Sequence, residues 1–170
     1  MKSEEIENGI KFAKENSKLF GRIELLRKEP LLIIDVSHNP AGMNALIDTI
    51  ELHFPNIKLW NFVFGCMADK DIAGMLCEIK RICNELICCS PTIERAAKVQ
   101  LLKEVAKEIN FANLKFYETV KEAVNYALNL NMPTVIAGSF YLIEEAIHYL
   151  KDEVNWEVNN SHYQLNNMNN

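Results

Sequence analysis

The 170-residue chain contains no Gly-x-x-x-x-Gly-Lys-Ser/Thr segment, so it carries no phosphate cradle with its lysine. No Gly-x-Gly-x-x-Gly follows any strand pattern, which argues against a dinucleotide enzyme of the Rossmann kind. The acidic pair that a signalling receiver domain needs near its first strand is missing too. No apolar run approaches the ~18 residues of a membrane span, and the start, Met-Lys-Ser-Glu-Glu-Ile-Glu, has no apolar secretory segment. Clusters of Lys and Arg are absent and the net charge is -5, which excludes a nucleic-acid or anionic-membrane surface. Cysteines stand at 66, 77, 83, 88 and 89, an odd number with no Cys-x-x-Cys spacing, so a zinc or redox site is not indicated. Cys88 and Cys89 fall in an apolar run and read as small buried sheet residues of a reducing compartment. The expectation is a cytoplasmic protein.

What is present is a globular composition, 49% hydrophobic and 24% charged, at a length that suits one domain. Gly21 to Leu26 alternates like a half-buried strand, and Arg27-Lys28-Glu29-Pro30 reads as a turn into a second strand over 31–36. These two are expected to form an antiparallel hairpin. Strands are then predicted over 57–64, 85–90, 114–117 and 132–137, interleaved with helices over 40–53, 71–82, 96–109, 119–130 and 140–150. Pro30, Pro55, Pro91 and Pro133 fall at strand edges, while Pro40 opens a helix. The pattern predicts an α/β fold: a Rossmann-like, mostly parallel six-stranded sheet with one antiparallel strand and helices on both faces. Residues 1–20 read as a connector helix from an upstream domain, 21–152 as the domain itself, and 153–170, with seven Asn, as a partly disordered tail.

The central stretch is Leu31-Leu32-Ile33-Ile34-Asp35-Val36-Ser37-His38-Asn39-Pro40. Four branched apolar residues make a buried strand, and Met43, Leu46, Ile47, Ile50 and Phe54 mark the helix that follows. Asp35, His38 and Asn39 therefore sit between a strand's carboxyl end and a helix's amino end, where open α/β sheets bind ligands and helix N–H groups favour anions. Asn39 reads first as the helix N-cap. Asp35 is either a ligand-binding acid or a turn-capping one.

The segment Asp35-Val-Ser-His-Asn-Pro40 resembles the Asp-Gly/Val-Ala-His-Asn-Pro motif of folylpolyglutamate synthase and dihydrofolate synthase, members of the Mur-ligase superfamily. Gly21-Arg22, the Gly65…Asp69-Lys70-Asp71 segment, Arg95-Ala96 and Gly138-Ser139-Phe140 are similar to further motifs of that family, in the same order. The resemblance covers about residues 20–150 and concerns the C-terminal domain of those enzymes. It implies an ATP-dependent ligase that joins L-glutamate to dihydropteroate or a folate through an acyl phosphate. It implies as partner an N-terminal P-loop domain, which would supply most Mg2+ ligands. The isolated chain is expected to be inactive, with no catalytic residue of its own. The alternative is a free-standing, non-catalytic nucleotide-binding or interaction module of the same fold.

Residue by residue, the resemblance implies that Arg22 contacts ATP and Asp35 the ribose. It places His38, Asn39, Ser139 and Lys70 near the phosphates or the glutamate. Each has a plainer reading beside it. Arg22 also reads as a solvated strand-edge charge, and His38 as a turn former, or as a neutral donor at a helix amino terminus. Ser139 reads as a helix cap, and Lys70 as one half of an ion pair with a neighbouring Asp. Arg95 is structural or close to substrate, without a choice between them. Phe140 and Tyr141 read as core, and His53, His148 and His162 as surface. The family's small Gly-Ala is replaced by Val36-Ser37, so the turn is expected to have ordinary φ.

Overall fold

Successive residues of β2 (Leu31–Asp35) face opposite sides of the sheet, and the side chains they meet define the architecture of the computed structural model, which describes residues 22–152. Ile33 enters one apolar cluster, and Leu32 and Ile34 enter another. The same alternation runs through β3 (Trp60–Phe64), β4 (Cys83–Cys89) and β6 (Thr134–Ala137): Phe62, Phe64, Leu86, Cys88 and Val135 go to the first cluster, and Val63, Ile87, Cys89 and Ile136 to the second. A sheet apolar on both faces has to be covered on both. On the first face lie α1 (Pro40–His53), α2 (Ile72–Ile79) and α3 (Val99–Glu108), and on the second α4 (Val120–Asn129) and α5 (Phe140–Asp152).

With β1 (Glu24–Lys28) and β5 (Leu114–Tyr117) the sheet has six strands in the order β1-β2-β6-β3-β4-β5. Only β1–β2 pair antiparallel. The chain steps from β2 to β5 in one direction with its helices on one face. It then returns through α4 to insert β6 between β2 and β3, and a right-handed return requires the opposite face. The expected fold class is thus what forms.

Several boundaries differ from the sequence expectation. The first strand is Glu24–Lys28 rather than 21–26, so Arg27 and Lys28 belong to the ladder, not the turn. Arg27 Nε closes the shortened turn by donating to the Pro30 carbonyl at 2.9 Å. β3 begins only at Trp60, because Ile57 N bonds back to Phe54 O. α2 ends at Ile79 and the following residues continue as turns, Arg81 N to Glu78 O and Ile82 N to Ile79 O. α3 starts at Val99 rather than 96, because Ala96 bridges Met67 and Ala97 N donates to Cys66 O, tying the loops after β3 and β4 together. The connector over 1–20, Gly21, the tail from 153 and His162 lie outside the described residues.

Cys66, Cys88 and Cys89 are buried and Cys77 is exposed. Burial, helped by the Asp69 charge, raises the Cys66 thiol from its ordinary 9.0 to about 12. Burial also pushes Cys83, Cys88 and Cys89 up. These thiols stay neutral and none is an activated nucleophile. Because their folded values are raised, the stability they contribute is fully present below pH 9 or so and falls as pH climbs through about 12. A thiol reagent at pH 8 is expected to label Cys77 quickly, half-buried Cys83 more slowly, and Cys66, Cys88 and Cys89 only after denaturation. Fast labelling of Cys88 or Cys89 would show that the sheet is open there.

Candidate functional site

The antiparallel hairpin decides where the site forms. Because β1 runs against β2, the start of β1 lies beside the end of β2, and Ile23 and Arg22 come to the same sheet edge as Asp35. The turn after β2 and the first turns of α1 complete a cavity of about 460 Å³ lined by Arg22, Asp35, Ser37, His38, Ala41 and Ala45, among others. It lies at the carboxyl edge of β2, the edge at which open α/β sheets bind ligands.

Asp35 is 5% exposed, and its carboxylate organises the turn. Oδ2 accepts from Ile23 N at 2.9 Å. Oδ1 accepts from Ser37 N at 2.7 Å, and the Ser37 hydroxyl donates to the same oxygen. Those three donors use most of the roughly four acceptor positions of a carboxylate. A further donor has to take the remaining one or displace Ser37 Oγ. Asp35 caps the turn, and it also lines the cavity.

Asn39 is the α1 N-cap, its Oδ1 accepting from Gly42 N at 2.8 Å. Met43 N bonds to Asn39 O and Pro40 has no N–H, which leaves the Ala41 amide as the first-turn donor at the cavity wall. His38 is exposed, and its Nδ1 lies 3.1 Å from Val36 O. A carbonyl only accepts, so the proton sits on Nδ1 and a neutral ring offers Nε2 as an acceptor. Val36 has ordinary φ, as the departure from Gly-Ala required.

Ser139 and Lys70 stand on other turns of the same edge and do not line this cavity. Ser139 is 3% exposed, and its Oγ accepts from Leu142 N at 3.1 Å as the first-turn cap of α5. Lys70 Nζ pairs with Asp69 at 3.5 Å, and Arg95 reaches the same carboxylate at 3.4 Å from the loop after β4. Asp71 caps α2 through Gly74 N. Phe140 and Tyr141 are not core: they are 53% and 39% exposed and pack edge to face at 6.2 Å. The buried stripe of α5 begins only at Leu142, one residue later, and the aromatic pair sits above it at the sheet edge. Among the described residues no group of three or more His, Cys, Asp or Glu is arranged to hold a metal, and the Asp35 oxygens are already engaged.

Sequence reasoning missed Ile23 and Ser37. Ser37 was signalled by the Asp-x-Ser spacing of an Asx-turn. Ile23 was signalled by a hairpin register that sets Glu24 opposite Ile34.

The family described as Mur ligase, glutamate ligase domain matches residues 21–140. The chain belongs to that family. The chain is 28% identical over 156 residues to the UDP-N-acetylmuramoyl-L-alanyl-D-glutamate–2,6-diaminopimelate ligase of Clostridium perfringens, covering 81% of this chain and 31% of that protein. Folylpolyglutamate synthase of Mycobacterium tuberculosis, solved with ADP and AMPPCP, superposes with a TM-score of 0.69 at 26% identity, over 76% of this chain and 31% of that one. A bifunctional folylpolyglutamate synthase/dihydrofolate synthase with Mn, AMPPNP and L-glutamate bound gives 0.66 at 27%, over 79% and 31%. The domain therefore spans under a third of the length of these relatives. No helix among the described residues is long and apolar enough to cross a membrane.

Proposed function

We propose that this glutamate ligase domain is the ATP- and glutamate-side part of an ATP-dependent ligase that adds L-glutamate to dihydropteroate or a folate. In that reaction the γ-phosphoryl group of ATP passes to the acid's carboxylate, giving an acyl phosphate and ADP. The glutamate amine then attacks the acyl carbon, loses a proton and expels phosphate. The observation that carries the reading is the cavity that unites Arg22, Asp35, His38 and the α1 amino terminus. A guanidinium and a helix-terminal amide suit phosphate oxygens. The last acceptor position of Asp35 and Nε2 of His38 suit ribose hydroxyls.

Lys70 and Ser139 take the amino-acid side. Lys70 is half-exposed beside Asp69 and is free to exchange that partner for a glutamate carboxylate, since an exposed ion pair is worth at most about 1 kcal/mol. Ser139 contributes by holding the α5 terminus at the same edge. The phosphate cradle and Mg2+ ligands belong to a partner P-loop domain, so the chain alone makes no amide bond. This rests on the absence of a Walker-type segment from the sequence.

Titration calorimetry on the 170-residue chain tests the reading. Weak ATP binding is expected, and Arg22→Ala is expected to lower the affinity roughly tenfold, the scale of one charge-assisted contact. Equal affinities reject the assignment of Arg22. Mixing the chain with a separately prepared P-loop domain and following ATP-dependent glutamate ligation separates this reading from a free-standing module, which restores no activity.

A further inference from the structure

Ile23 has φ +44. A β-branched side chain seldom occupies that left-handed region, and here it does so at the wall of the cavity. The register of the hairpin, Glu24 opposite Ile34, would place Ile23 opposite Asp35 in a regular ladder. Instead its amide turns to the Asp35 side chain, donating to Oδ2 at 2.9 Å, and the ladder begins only at Glu24. The Ile23 side chain packs against the apolar cluster beneath α1. Residue 23 is thus held at two points, by its half-buried side chain against the core and its amide on a buried carboxylate. That carboxylate is itself fixed by Ser37. Arg22 precedes it by one peptide, exposed, on the same wall.

We infer that Ile23 is a positioning residue whose left-handed backbone, pinned by Asp35, sets Arg22 at the mouth of the cavity to meet the phosphates of a nucleotide. This rests on the nucleotide reading of the cavity. An exposed arginine before an edge strand otherwise loses backbone and rotamer freedom on meeting an anion. Pinning the next peptide removes part of that loss in advance, which is pre-organisation of the contact. Asp35 then acts on the ligand twice, through its remaining acceptor position and through the direction it imposes on the chain at Arg22. Ile23→Pro removes the donor and forbids positive φ. Ile23→Gly keeps the donor but frees the backbone.

ATP affinity is measured by calorimetry on the full chain for wild type, Arg22→Ala, Ile23→Pro, Ile23→Gly, and each Ile23 variant combined with Arg22→Ala. Exchange of the Ile23 amide is followed by NMR in wild type and in Asp35→Asn. Ile23→Pro is expected to weaken ATP binding about as much as Arg22→Ala, roughly tenfold, and Ile23→Gly several-fold, with neither adding to the loss in the Arg22→Ala background. The Ile23 amide is expected to be protected in wild type and to exchange at least about tenfold faster in Asp35→Asn. Ile23 variants that bind like wild type, or losses that add to that of Arg22→Ala, overturn the inference. A protected Ile23 amide in a chain that does not bind ATP rejects the nucleotide reading and the positioning role with it. An unprotected amide beside normal ATP binding rejects the positioning role alone.

Discussion

Gly138→Ala is expected to lower the unfolding temperature by roughly 8–16 °C, corresponding to about 4 kcal/mol in a domain of this size. Gly138 ends β6 with φ +134, a backbone state closed to L side chains. A Cβ added there would stand 2.6 Å from the Gly65 carbonyl and 3.0 Å from the Phe64 ring. Neither neighbour can yield, since Gly65 continues the paired strand β3 and Phe64 is wholly buried. The chain therefore has to shift β6 against β3 or rebuild the turn, and either move disturbs the Ser139 cap of α5. Thermal unfolding followed by circular dichroism reads the effect directly. A midpoint within about 2 °C of wild type would mean that the turn at residue 138 has a second, ordinary conformation close in energy.

Asp35→Ala is expected to cost about 2 kcal/mol of stability and, on the nucleotide reading, to abolish measurable ATP binding. The stability loss follows from three donors that lose their acceptor at once: the amides of Ile23 and Ser37 and the Ser37 hydroxyl. Leaving a half-buried donor unpaired costs more than the bond contributed when made. Asp35→Asn separates the two roles, because one amide oxygen still closes the Ser37 turn. The Asn variant leaves only the Ile23 amide unpaired, so it is expected to lose about 1 kcal/mol, less than the Ala variant, while losing most of its ATP affinity. Denaturant unfolding and calorimetry on the same samples check this. Wild-type ATP affinity in the folded Asn variant would restrict Asp35 to shaping the turn.

Much of this architecture was legible in the residues because each apolar pattern had only one place to go. The uninterrupted Leu31–Ile34 run required a strand covered on both faces, and the i, i+3, i+4 stripe after Pro40 required a helix on one of them. Asn39 as cap and Asp71 as cap could be read locally, since N-capping depends on a side chain and an amide three residues on. Where contacts are distant in sequence, reading by pattern failed. The late start of α3 follows from Ala96 and Ala97 bonding to the loop after β3, which no local propensity encodes. Phe140 and Tyr141 looked like core because aromatic residues beside a helical stripe usually are, but the stripe starts one residue beyond them. Ile23 was hidden for the same reason: an Asp twelve positions later holds its amide.

The place of β6 has a consequence for how the domain comes into being. It is the last of the described strands and lies between two that precede it, β2 and β3, which are joined only through it. As the polypeptide leaves the ribosome, the hairpin and the β3–β4–β5 unit can each gather their own hydrogen bonds, but they remain two sheets with open flanks until Thr134 to Ala137 emerges. A nascent chain stopped before that point leaves β2 and β3 each without the strand that pairs with them in the complete sheet. Completion is then a single late insertion.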